Sequence, residues 1–249
     1  MTNVFGDILI QGFRLKFKTR KFCMICDKIK KELRKKAKPK KLKILSSFFK
    51  TGKGQYAEGD KMLAITVPDQ RAIAKKYYQT ANLNDVKKLF LSRFHEDRLT
   101  GLIILTFKML KAGEEERKKI VDFYLANLDR VNNWDLVDLS AGKILGFYLL
   151  DKPRSVLYKL AKSKHLWSER IAIVATFEFI RKNQFADTLK LAKMYLKHPH
   201  DLIQKSVGWM LREIGKRDEK VLRNFLDKYV KKMPRVMYRY ATEKLKYPV

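Results

Sequence analysis

Four stretches of the chain lie over one another in a single register. Arg98 is followed by LTGLIIL, Asp138 by LSAGKIL, Arg170 by IAIVATF and Lys205 by SVGWML. The charged positions stand 40, 32 and 35 residues apart. Helix pairs recurring at such a period are the signature of an α-solenoid, where each repeat buries its apolar face on its neighbours. Small residues just after the charge (Thr100, Gly101, Ser140, Ala141, Ala172 and Gly208) let neighbouring helices approach closely. The expectation is all-α: a superhelix of HEAT-like, armadillo-type repeats with a concave basic face.

The rest of the chain agrees with that class. Only 11 Gly and 6 Pro interrupt 249 residues, and the apolar residues keep a helical period from Asn84 onward. The spacing predicts helices at 84–93, 95–112, 114–128, 133–150, 153–162, 166–182, 184–196, 199–216, 218–230 and 233–246, with no strand. Residues 24–50 read as two helices split at Pro39, and Pro68 starts a helix over 69–78. Between them, FFKTGKGQYAEGDKMLAITVPDQR (residues 48–71) is the one long Gly-bearing stretch and reads as a loop. It is not a phosphate-binding P-loop, because no Gly-Lys-Ser/Thr follows its glycines.

Charge speaks to partners rather than fold. With 56 Lys+Arg against 26 Asp+Glu the formal net charge is +30, and residues 1–53 alone carry +14. Nucleic acid is the first partner this suggests, an acidic membrane surface the second and plain solubility the third. No stretch nears 18 consecutive apolar residues, and the N-terminus lacks a secretory signal, so a cytoplasmic location is expected. Cys23 and Cys26 form a lone CxxC without a second ligand pair, which favours two reduced thiols over a redox or metal site. Residues 1–23 read as an N-terminal extension, extended or disordered or not native, with Met24 as an alternative translation start. Residues 24–249 then form one domain.

The chemistry centres on NNWDLVDLSAGKILG, residues 132–146. Asn132 or Asn133 caps a helix on which Trp134 and Asp138, four apart, share a face. A lone carboxylate on a DNA-binding face repels phosphates, so it calls for a cationic target. The alternative is that Asp138 only balances a basic neighbour. A purine alkylated at N3 or N7 is cationic, and its glycosidic bond is weak because the base leaves neutral. An enzyme must then stabilise positive charge on the sugar and position a water, and a carboxylate does both. Trp134, Trp167 and Trp209 all lie on repeat helices, where an aromatic ring can stack on a nucleoside. Core packing is the competing reading for each, strongest for Trp167 at a helix start. Arg98, Arg170 and Lys205 would meet phosphates. The four histidines lack zinc spacing, and no metal site is expected. No serine or paired Cys/His nucleophile motif is present, while a lysine nucleophile stays open because nothing singles one lysine out.

At these residues the chain resembles the HEAT-like-repeat DNA alkylation repair family, the alkylpurine DNA glycosylases of AlkD type. The matching stretches are FFKTGKGQYAEGD and VPDQR within 48–71, RFHEDRL (93–99), NWDLVDL (133–139), LWSERIAI (166–173) and QKSVGWMLREIGK (204–216). The resemblance spans roughly residues 24–246. It implies a monomeric solenoid that wraps double-stranded DNA and removes 3-alkyladenine and 7-alkylguanine without any cofactor. It puts the catalytic Asp at Asp138, lesion-facing tryptophans at Trp134 and Trp209, and a backbone-holding Arg at Arg170. Tyr56, Arg71 and Arg212 join the DNA face. Two departures stand out: residues 1–23 have no counterpart, and loop 50–60 differs from the AlkD-type pattern. Two further readings remain beside the glycosylase. One is a non-catalytic HEAT-like module that binds damaged or branched DNA. The other is a protein-binding scaffold, against which the charge argues.

Overall fold

The computed structural model describes residues 24–245. The expected extension at residues 1–23, with Cys23 and the alternative start at Met24, lies outside the described residues except for Met24 itself. The helices are α1 (Ile25–Lys35), α2 (Leu42–Phe48), α3 (Val67–Tyr77), α4 (Leu83–Phe90), α5 (His95–Lys111), α6 (Glu114–Leu125) and α7 (Trp134–Ala141). They continue as α8 (Ser155–Ala161), α9 (Leu166–Ala175), α10 (Phe177–Ile180), α11 (Ala186–Met194), α12 (Asp201–Gly215), α13 (Glu219–Tyr229) and α14 (Arg235–Thr242). Among the described residues the only β pairing is a single bridge between Lys61 and Phe94. The all-α solenoid is therefore what the chain forms.

The four repeat stretches become α5, α7, α9 and α12, and these pack side by side in that order as an inner layer. The helices α3, α4, α6, α8, α10, α11, α13 and α14 back them. Close approach is built into the inner layer. A Cβ on Gly208 would lie 2.5 Å from the Met237 carbonyl oxygen, so only glycine lets α12 meet α14 at that distance. Gly146 is tighter, with the Ala175 oxygen 2.1 Å from where its Cβ would be.

Helix ends follow their sequence signals. Asn82 and Asp85 close a reciprocal capping box on α4, and Asn133 Oδ1 accepts the Trp134 N–H at the start of α7 (2.9 Å). Two expected helices are interrupted. The stretch 133–150 passes through one π-helical turn at Gly142–Gly146, a widening often found beside functional sites. The stretch 166–182 breaks at Thr176, whose hydroxyl donates back to the Ile173 carbonyl (2.7 Å) and bends the chain.

The loop before α3 is held rather than free. The Glu96 carboxylate accepts the backbone N–H groups of Leu63 (2.9 Å) and Ala64 (2.7 Å). Ala64 itself adopts the left-handed region at φ 60. Lys61 N–H donates to the Arg93 carbonyl, and His95 N–H to the Lys61 carbonyl. The loop is thereby fastened across the start of α5.

Candidate active site

A cleft of about 1140 Å³ opens where α7, α9 and α12 face the loop after α2. Trp134, Asp138, Arg170, Lys205, Trp209, Arg212 and Tyr56 all line it, so the fold gathers most of the residues expected from sequence. Its centre is an ion pair. Arg170 Nε donates to Asp138 Oδ1 (2.9 Å) and Nη2 to Oδ2 (2.8 Å), while Nη1 donates to the Leu202 carbonyl. A guanidinium fork fits a carboxylate in this bidentate way. Burial pushes the Asp138 carboxyl above its ordinary range, Arg170 pulls it back, and nearby Asp135 adds to the rise.

Aromatic rings border that pair. Trp134 stacks on Phe49 (5.5 Å between centroids, 14°) and takes the edge of Phe48 (5.6 Å, 85°). Tyr56 packs its edge on Trp167 (5.4 Å), and burial raises its phenol above the ordinary range, with Trp134 acting the other way. Trp209 leans on Phe177 (5.8 Å). His200 also lines the cleft: its Nδ1 accepts the Leu202 N–H (3.2 Å), and burial, with His198, Arg170 and Lys205 nearby, keeps the ring below its ordinary pKa.

Several residues sit differently from their expected roles. Arg98 does not face phosphate: it is 1% exposed, and its guanidinium is bound to Asp60, Asn132 and the Ser92 carbonyl. The loop crossing α5 covers it. Arg170, 5% exposed, has its donors turned to Asp138 and Leu202 rather than outward to a backbone. Trp167, by contrast, is core at 4% exposed, the reading that its place at a helix start favoured. Arg71 is exposed on α3, beside Lys143, and is not part of the cleft lining. Lys205 is paired with Asp201 (2.7 Å) and Arg212 with Glu243.

Sequence reasoning missed Phe48, Lys50, His200, Asp201 and Tyr240 in the cleft, and Phe49 beneath Trp134. The FF pair stood at the head of the loop motif, but no periodicity marks loop residues as site-forming. Among the described residues no group of three or more His, Cys, Asp or Glu is placed to hold a metal ion. No helix among them is long and apolar enough to cross a membrane.

Fold and site together define a helical-repeat solenoid with an aromatic-lined, acid-bearing cleft along its inner helices in a strongly basic chain. Within that class the chain belongs to the DNA alkylation repair enzyme family, which residues 29–245 match. It is similar in fold to a predicted DNA alkylation repair enzyme from Enterococcus faecalis (TM-score 0.68, 16% identity, 85% of this chain and 97% of that one). It is also similar to AlkD2 from Streptococcus mutans (TM-score 0.55, 14% identity, 84% and 99%) and to smu.31 from Streptococcus mutans UA159 (TM-score 0.53, 15% identity, 74% and 93%). No curated protein matches the chain significantly.

Proposed function

We propose that the protein is a monofunctional DNA glycosylase that hydrolyses the N-glycosidic bond of cationic alkylpurines, 3-alkyladenine and 7-alkylguanine, in duplex DNA. The observation that carries this is the Asp138 carboxylate standing beside Trp134 in one open cleft, clamped by Arg170. As the bond from C1′ to the base nitrogen lengthens, its electron pair leaves with the base, which departs neutral. Positive charge grows on the sugar, and Asp138 stabilises it through space. Asp138 then orients a water whose oxygen bonds to C1′, with its proton passing to the carboxylate and on to solvent. A carboxyl raised by burial is the stronger base for this step. Arg170 serves by fixing the direction of Asp138, in place of the phosphate contact the sequence suggested. Trp134 and Trp209 contact the lesion nucleotide, with Lys205, Arg212 and Tyr56 on the DNA side. The reaction asks for no organic cofactor, and the enzyme acts as a monomer in the cytoplasm.

The closed Asp138–Arg170 pair also supports a second reading, a non-catalytic module that binds damaged or branched DNA, with Asp138 as a counter-charge. Base release separates the two. Wild type incubated with methylated duplex DNA should free 7-methylguanine or 3-methyladenine, seen by chromatography, and Asp138→Asn should not. Salt-sensitive DNA binding without any base release sinks the glycosylase.

A further inference from the structure

Buried charge concentrates outside the cleft at one place, the first turn of α5. His95 is 1% exposed. Its Nε2 lies 2.8 Å from Asp135 Oδ2, while its Nδ1 is buried without a hydrogen-bond partner and faces Asp60 Oδ2 at 3.9 Å, within ion-pair reach. Its ring is 5.0 Å from that of Phe49, tilted 35°. Phe49 is the ring stacked under Trp134, and Asp135 is the residue after Trp134 on α7. Asn133, just before Trp134, donates to the Phe49 carbonyl (3.2 Å). One imidazole therefore touches both supports of the cleft tryptophan, the ring beneath it and the turn that carries it.

We propose that His95 is a positioning residue for Trp134: an imidazolium held between Asp60 and Asp135 that keeps Phe49 under the indole and the first turn of α7 in place. The proposal rests on the glycosylase reading for its catalytic consequence, though not for its geometry. A neutral imidazole has one N–H and could satisfy only one of two carboxylates, leaving a lone pair against the other. With a largely buried carboxylate on each side, 9% and 16% exposed, a protonated Nδ1 meets Asp60 as an ion pair where a bare lone pair would be repelled.

The charged groups around His95 are few. Asp60 comes from the loop and Asp135 from α7. Arg98 and Glu96 come from α5, Arg98 taken up by Asp60 and Glu96 by the loop amides. Lys41 stands across a cavity of about 270 Å³ that His95, Asp135 and Glu96 also line. Burial works against the charge on His95, but Asp135 and then Asp60 outweigh it and raise the ring to about 9, with Arg98 opposing. Loss of that proton would leave two carboxylates against one guanidinium in the interior.

The test uses the full chain with 5-fluorotryptophan, read by fluorine NMR from pH 6 to 10. Trp134→Phe assigns the Trp134 signal, and Trp167 and Trp209 serve as internal references. The Trp134 signal should move with a midpoint near pH 9 in wild type and not titrate in His95→Gln. The Tyr56 phenol next to it is pushed up by burial, away from the His95 titration. Asp135→Asn removes the nearer carboxylate and should lower the midpoint by about one pH unit or more; it decides the matter even where His95→Gln fails to fold. A Trp134 signal that is flat across the range, or a midpoint unmoved in Asp135→Asn, overturns the proposal. Base release at pH 7.5 adds the functional arm. His95→Gln should slow single-turnover release about tenfold or more, through misplacement of the reacting nucleotide, with DNA affinity within about twofold. Equal release by wild type and His95→Gln also overturns it. Wild type that releases no base sinks the glycosylase reading, while the fluorine titration still decides the role of His95.

Discussion

The molecule contains two Arg–Asp pairs built at the same position of its repeat, and they behave oppositely. On α5, Arg98 meets Asp60 with both side chains almost wholly inside (1% and 9% exposed). On α9, Arg170 meets Asp138 at the wall of the cleft (6% and 21%). Asp60 is held below its ordinary pKa: burial raises it, but the nearby His95 ring and the Arg98 guanidinium pull it further down. Asp138 is held above, because burial outweighs Arg170 and Asp135 repels. A carboxylate with a depressed value stabilises the fold above its unfolded pKa, and that contribution is lost as pH falls through the folded value. A carboxyl with a raised value does the reverse: its ionised form costs stability, and the cost disappears as pH falls. The first pair holds the loop over α5, whereas the second keeps a charge where the fold gains nothing from it. An ionised group that the fold tolerates at a cost, in an open cleft, is what the proposed glycosylase would use.

Four substitutions can break or sharpen this contrast. The largest loss should come from Asp60→Ala, which leaves Arg98 buried and unpaired; about 3–5 kcal/mol of stability should go, read from chemical denaturation. Asp138→Asn should leave stability almost unchanged while base release falls about 10²–10³-fold with DNA still bound. A large fall in midpoint denaturant there would make the second pair structural like the first. Gly146→Ala sets a Cβ against the Ala175 carbonyl and must push the π-helical turn after α7 away from the end of α9. It should cost about 1–3 kcal/mol by overpacking and slow base release by disturbing the Asp138–Arg170 geometry. An unshifted melting temperature would mean the two helices can part freely. The smallest effect is expected at Lys205, the third cationic position of the register and the most exposed. Lys205→Ala should lower the slope of log affinity against log salt by about 1, without changing base preference. An unchanged slope would remove Lys205 from the phosphate face.

Much of the site is legible in the residues' spacing. The i, i+4 separation of Trp134 and Asp138 places both on one helix face, and both line the cleft. The register of Arg170, Lys205, Trp209 and Arg212 puts them on the neighbouring inner helices. What escapes such reading is contributed by a loop. Phe49 reaches Trp134 from far back in the chain, and loop residues have no period to reveal such a contact. The four consecutive residues His95, Glu96, Asp97 and Arg98 are all buried. A charged run reads as a solvated face unless each member has its own partner inside. Here Asp135, the loop amides, Arg34 and Asp60 are those partners.

By itself the sequence determined that the chain is an all-α repeat solenoid, that it is strongly basic, and that a carboxylate and an indole share one helix face. Periodicity and spacing are local quantities, and local quantities suffice for these. Only the tertiary structure decided depth. Arg98 and Arg170 stand at equivalent positions, yet the loop between α2 and α3 folds over one of them, where Asp60 comes to meet it, and leaves the cleft open beside the other. Periodicity says which face a residue is on; what covers that face depends on contacts between residues far apart in the chain.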